Sequence, residues 1–178
     1  FVSGNSAKEF VRKKQQDSEN KEIEEKLKEE EKEKRIEKRQ HVKERIPIIA
    51  KSLSECKDGI STIENITIEL RKTGKANFCY STSNDYDDIF HIGLGEVLCK
   101  ADPKLVYCGL FEDGEKIRVI VYAGDNIPKE NGAGEIVKSI SEILGGTGGG
   151  NPKFAQGGGT DKSKKEDAIK NAKTVIFE

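Results

Sequence analysis

The side chains able to do chemistry in this 178-residue chain are few, and their spacing does not favour catalysis. Cys56, Cys79, Cys99 and Cys108 form no C-x-x-C pair, and His41 and His91 lie far apart, so the metal-ligand spacing of a zinc site is missing. Cys79 and Cys108 fall in apolar, strand-like runs, where burial raises a thiol's pKa and leaves it inert. Free, buried thiols in a reducing compartment are expected. His91 stands between Phe90 and Ile92 in a helical pattern, the setting of a core or helix-surface histidine rather than a general base. Asp85, Asp87 and Asp88 sit where a helix begins, and capping accounts for them without a metal. The carboxylates of residues 22–37 are the charged face of a solvated helix. With no nucleophile, base and orienting group in one constellation, this chain is expected to catalyse nothing by itself.

Binding is better supported. The stretch Gly145-Gly146-Thr147-Gly148-Gly149-Gly150-Asn151-Pro152-Lys153-Phe154-Ala155-Gln156-Gly157-Gly158-Gly159 has eight glycines in fifteen residues, yet Pro152, Phe154, Ala155 and Gln156 give it a specified order that a Gly/Ser linker lacks. Glycine permits positive φ and close approach to backbone or phosphate, and a Gly-rich turn before a helix N-terminus can cradle an anion. No Gly-Lys-Ser/Thr follows the glycines, which argues against a P-loop, and the stretch follows a helix pattern, which argues against a dinucleotide fingerprint. Lys153, Lys162, Lys164 and Lys165 surround it, with Lys138 on the preceding helix. Lysines and backbone amides together suit shape recognition of RNA phosphates; a tight turn packed on a sheet, with lysines serving solubility, is the competing reading. Phe154 reads as an aromatic anchor of the loop before a base-stacking platform. The net charge of −1 excludes a uniformly basic nucleic-acid binder and confines any RNA contact to a local patch.

These residues need a scaffold. Charged residues (35%) match hydrophobic ones (34%), so only part of the chain can be core: about 100–150 residues plus an extension. Residues 5–45 interleave Glu and Lys at i,i+4, as in Glu22–Lys26 and Glu24–Lys28, which predicts a solvated helical spacer. Ile23, Leu27, Ile36, Val42 and Ile46 are too sparse for a coiled-coil seam. Pro47 suits the first turn of a new helix, and Ile49, Leu53, Cys56, Ile60, Ile63 and Leu70 keep alternating spacings of four and three with one step missing at Thr67, a helix stripe. Asp58-Gly59 is an awkward interior pair in it, and residues 66–70 also alternate like a strand. From residue 75 the pattern predicts a strand at 76–82, an N-cap at Asn84-Asp85, a helix over 89–100, a hairpin of 105–111 with 116–123, a loop at 126–132, a helix over 134–144, the glycine loop, and a helix over 164–177. The fold class is α+β, a small α/β-type sheet flanked by helices and preceded by a long helical extension, divided as 1–73 and 74–178. No apolar run of ~18 residues and no signal peptide is present, so a soluble, cytoplasmic protein without a membrane partner is expected. The start at Phe1-Val2-Ser3 and the lack of methionine suggest a fragment or a processed product.

Gly-Gly-x-Gly-Gly-Gly-x-Pro-x-x-Ala-Gln-Gly-Gly-Gly at 145–159 resembles the signature near the C-terminus of alanyl-tRNA synthetases, in their DHH-associated domain. Nucleases and phosphodiesterases of the DHH superfamily carry a related Gly-Gly-Gly-His-Pro with an Ala-Ala-Gly run; Gln156 followed by Gly157–Gly159 favours the synthetase. Asn151 departs from the arginine often found before the proline. The resemblance implies a homodimerising, tRNA(Ala)-binding segment with no cofactor of its own and no DNA partner. It implies a parent ATP-dependent alanine–tRNA ligase, with ATP, Mg and Zn held elsewhere. The tRNA-binding candidates are then Gly148, Gly149, Gly150, Asn151, Lys153, Gln156, Lys162, Lys164 and Lys165, and the dimer-interface candidates Ile49, Leu53, Cys56, Ile60, Ile63 and Leu70. The alternative is the substrate-binding lobe of a DHH-type phosphoesterase.

Overall fold

The computed structural model describes residues 4–55, 59–63, 66–70, 76–82, 84 and 86–177. The chain divides into two units, Phe1–His41 and Val42–Glu178. The first is helical throughout its described residues, as part of α1 (Gly4–Ser54), and every described side chain from 6 to 41 is exposed, as a helix polar on all sides requires.

In the second unit the last turns of α1 bury Val42, Ile46, Ile49 and Leu53. Pro47 therefore does not open a new helix; it lies inside α1. The apolar stripe runs across the proline, and packing on both sides of it outweighs the ~3 kcal/mol that an interior proline costs. The helix stripe expected to continue through residue 70 is also corrected: β1 (Gly59–Ile63) and β2 (Ile66–Leu70) form an antiparallel pair. Ile60, Thr62, Ile63, Ile66, Thr67 and Ile68 are β-branched and favour strands, and their fours and threes in the stripe are coincidental. Of the proposed interface positions, Ile49 and Leu53 are in the chain's own core, and Ile63 packs against it half-buried. Ile60 and Leu70 lie on β1 and β2, and Cys56 is outside the described residues.

The remaining elements follow the expected order, except that two strands stand where a glycine loop was expected: β3 (Asn77–Ser81), α2 (Asp88–Ala101), β4 (Leu105–Asp113), β5 (Lys116–Ala123), α3 (Ala133–Ile143), β6 (Thr147–Gly150), β7 (Phe154–Gly159) and α4 (Lys165–Phe177). All seven strands join one sheet in the order β1-β2-β3-β4-β5-β7-β6. Only β3 and β4 are parallel, joined through α2. β1 and β2 belong to this sheet, within the unit Val42–Glu178. One sheet face, with Phe78, Val106, Leu110, Val119 and Ala155, is covered by α3 and α4. The other, with Cys79, Leu105 and Tyr107, lies under α2 and the end of α1. Central β4 is buried on both faces from Leu105 to Phe111. The cap of α2 is Asp87, whose carboxylate accepts from Phe90 N at 3.3 Å. Asn84 is drawn instead to Glu112, accepting its backbone N–H and donating to its carboxylate, each at 3.1 Å; Asp85 is outside the described residues.

Candidate nucleic-acid interface

The glycine stretch is a hairpin and not a loop. Gly145, at φ 70°, ends α3 in the left-handed conformation typical of a helix C-terminus, and the chain then pairs β6 with β7. The turn between them is tied by Asn151, whose Oδ1 accepts from the backbone N–H of Lys153 and of Phe154, both at 2.9 Å. Its side chain is thus engaged in holding the turn. The glycines let α3 lie directly on the hairpin: a Cβ at Gly148 would sit 2.4 Å from Val137 Cγ1, and one at Gly157 2.4 Å from Ser141 Oγ. Buried Ser141 fastens the two layers by accepting from Gly158 N at 3.1 Å. Ser141→Ala leaves that amide without its partner and is expected to cost about 1–2 kcal/mol, measured as a lower denaturation midpoint at unchanged slope.

The opposite face of the hairpin is open. Space for a Cβ at Gly149 is unoccupied to 4 Å, and Gln156 is exposed. Thr147, Gln156 and Gly158 join Asp113, Lys116 and Arg118 around a groove of about 600 Å³. Arg118 reaches Asp113 at 3.5 Å. Two cations against one carboxylate, an amide and glycine backbone make a surface suited to a polar, anionic ligand. Arg118 and Lys116 escaped sequence reasoning because β5 meets β7 through long-range pairing, Arg118 opposite Gly158; their alternation ahead of an apolar run was the available signal.

The sequence-nominated lysines do not gather into one patch. Lys153 lies at the Tyr122/Phe154 end of the β5–β7 ladder and pairs with Asp125 at 2.6 Å. Lys162 follows the opposite end, roughly 17 Å along the strand, where it meets Glu112 at 2.8 Å and donates to Gly114 O at 3.0 Å. Hydrogen bonds from Lys162 and Asn84 hold the Glu112 carboxyl below its usual range. Lys164 pairs with Asp161 at 3.4 Å. Lys165 donates to Thr82 O at 3.0 Å and lies 3.4 Å from Asn84 Oδ1; burial lowers its pKa. Phe154 is half-buried against Tyr122, ring centroids 4.7 Å apart, as an anchor should be.

Of the residues weighed for catalysis, His91, Cys79 and Cys108 are in the core. His91 is fully buried, its Nδ1 2.7 Å from Tyr107 Oη and its ring stacked on Phe111. Burial pushes its pKa down to about 4. Burial likewise raises the thiols of Cys108 and Cys99, the latter to about 12. Among the described residues no cluster of His, Cys, Asp and Glu could hold a metal ion, and no helix is long and apolar enough to cross a membrane.

The chain folds as a small α+β module built around a glycine hairpin clamped beneath a helix. Residues 87–178 match the DHHA1 domain, and the chain belongs to that family. It is similar to the alanine–tRNA ligase of Nitrosopumilus maritimus, 40% identical across 99% of this chain and 19% of that protein. It is also similar to the alanine–tRNA ligase of Cenarchaeum symbiosum, 34% identical across 99% of this chain and 19% of that protein. The chain thus spans about a fifth of the length of these curated relatives. Its fold resembles the C-Ala domain of the Aquifex aeolicus alanyl-tRNA synthetase, with a TM-score of 0.55 and 24% identity over 61% of this chain and 97% of that one.

Proposed function

We propose that this chain is the C-terminal, non-catalytic part of a cytoplasmic alanine–tRNA ligase, binding the body of tRNA(Ala) and pairing with a second copy. Aminoacylation and editing, with their ATP, Mg and Zn, belong to the rest of the parent protein. The observation that carries this reading is the 40% identity, running the length of the chain, to a protein of that name. The open groove supports it: Arg118 supplies a planar fork for phosphate, Gln156 an amide, and the glycine floor leaves backbone within a ligand's reach. For pairing, Ile49 and Leu53 are occupied within their own core, so a partner must use other side chains; among the described residues, Ile48 (66% exposed) and Val97 (38%) are the exposed large hydrophobics of the second unit.

Fluorescence anisotropy with labelled tRNA(Ala), combined with light scattering, tests both roles. Salt-sensitive binding on a particle of twice the monomer mass is expected, with Arg118→Ala weakening it about tenfold, or about 1.4 kcal/mol. A particle that ignores tRNA but binds short single-stranded DNA would overturn the proposal in favour of a phosphoesterase lobe.

A further inference from the structure

The charges of α1 are not evenly mixed. Residues 17–31 hold eight carboxylates against three lysines, net −5, and residues 32–41 hold five cations against two carboxylates, net +3. Every one of these side chains is exposed. At about 100° per residue, Glu33 and Glu37 fall on one narrow stripe roughly 40° wide, and Lys32, Lys34, Arg35, Lys38 and Arg39 occupy an arc of about 160° on the far side.

This segregation works against the helix. Upstream, Glu22–Lys26, Glu24–Lys28, Glu30–Lys34 and Glu31–Arg35 are favourable i,i+4 pairs. Within 32–41 the i,i+4 pairs of two ionised side chains are Glu33–Glu37, Lys34–Lys38 and Arg35–Arg39, all of like charge, against one opposite pair at i,i+3, Lys34–Glu37; like charges at these spacings destabilise a helix by as much as opposite charges help. A solvated spacer needs no such arrangement; a polyanion along the basic arc compensates for it. The arc carries no aromatic side chain to stack a base, so its contacts go to phosphates, positioning the ligand without reading its sequence.

We infer that the basic arc of Lys32, Arg35, Arg39 and their neighbours on α1 is a second RNA contact, docking the sugar–phosphate backbone of the tRNA, with the acidic block of 17–31 marking its limit. This rests on the tRNA-binding reading above. RNA is favoured over the acidic block of a second copy because α1 lacks the apolar seam that would hold two such helices together, and exposed ion pairs alone contribute little.

The test uses the full chain, a tRNA(Ala) transcript and an unrelated RNA hairpin, titrated between 50 and 200 mM salt. The triple variant Lys32→Gln/Arg35→Gln/Arg39→Gln is expected to flatten the slope of log K against log salt by about 2–3 and to weaken binding of both RNAs at least about tenfold at low salt. Lys100→Gln/Lys129→Gln/Lys170→Gln, an equal change of charge on the second unit, should leave both quantities as they are. Circular dichroism should show helicity retained, since glutamine is a good helix former and like-charge pairs are removed. Wild-type slope and affinity in the first triple variant would overturn this inference while leaving tRNA binding intact. Loss of salt-sensitive self-association with an unchanged RNA slope would overturn it in favour of a second copy. A wild-type chain that binds no tRNA would overturn the underlying reading as well.

Discussion

Gly157→Val is expected to destabilise the compact unit by about 3 kcal/mol or more, whereas Gly149→Ala, eight positions away in the same motif, should shift stability by less than about 0.5 kcal/mol. Both positions are glycines of one hairpin, and composition does not separate them. At Gly157 the first added carbon would lie 2.4 Å from Ser141 Oγ, 2.6 Å from Gly148 Cα and 2.9 Å from Thr147 O. Two of those neighbours are backbone and the third is a buried side chain fixed to Gly158 N, so none can swing aside. Relief comes only from lifting α3, whose Ile136, Val137 and Ile140 are fully buried and contribute on the order of 1.5–3 kcal/mol each. At Gly149 the added carbon enters open space. Denaturant titration of the two variants decides the matter: equal midpoints would mean that the hairpin does not depend on close approach of α3. A lifted helix would also displace Gln156, so RNA affinity should fall with stability in Gly157→Val.

The contrast explains which parts of the structure were open to inspection in the sequence. The elements α2, β4, β5, α3 and α4 carry their signals locally: alternating or helical apolar spacing, a two-residue turn at Gly114-Glu115 between Asp113 and Lys116, and Asp87 as a cap. Where the signal depends on distant partners it misleads. The glycine runs of β6 and β7 have too few side chains for an alternation to show, and Gly148 and Gly157 are required by α3, a neighbour in space. Residues 59–70 fit helical and strand periods alike, and pairing of β2 with β3 is what decides between them. Pro47 reads as a helix start because a stripe crossing it is invisible until the core that receives it is known. For the site, the fifteen-residue motif marked the family, while proximity in sequence grouped Lys153 with Lys162 although they stand at opposite ends of β7. Arg118, which does face the groove, is far from the motif in sequence and joined to it only through the ladder.

The second large effect is a pH dependence centred on His91. Its ring is fully buried, Nδ1 meets Tyr107 Oη at 2.7 Å, and Nε2 has no partner among the described residues. Gly109 supplies the room, since a Cβ there would stand 2.5 Å from Nδ1. Desolvation is the main cause of the fall in pKa from 6.5 to about 4; Lys165 adds to it, and Asp87 opposes it. The folded state therefore holds His91 neutral, while the unfolded chain takes up a proton near pH 6.5. The stabilising contribution is complete above pH 6.5, declines as pH falls because protonation then favours the unfolded state, and is gone below about pH 4. At 1.36 kcal/mol per unit, that window corresponds to about 3 kcal/mol. Removing the titrating group together with the hydroxyl it would otherwise strand, in His91→Phe/Tyr107→Phe, keeps the stacked ring and leaves no orphaned polar atom. Stability measured at pH 7, 5.5 and 4 should fall more steeply in the wild type than in this variant, the curves diverging by about 3 kcal/mol across the range. Carboxylates elsewhere titrate equally in both proteins, so only the difference reports on the histidine. Parallel curves would show that His91 is protonated within the fold, and the contact with Tyr107 would then have to be a charged hydrogen bond instead of a neutral one.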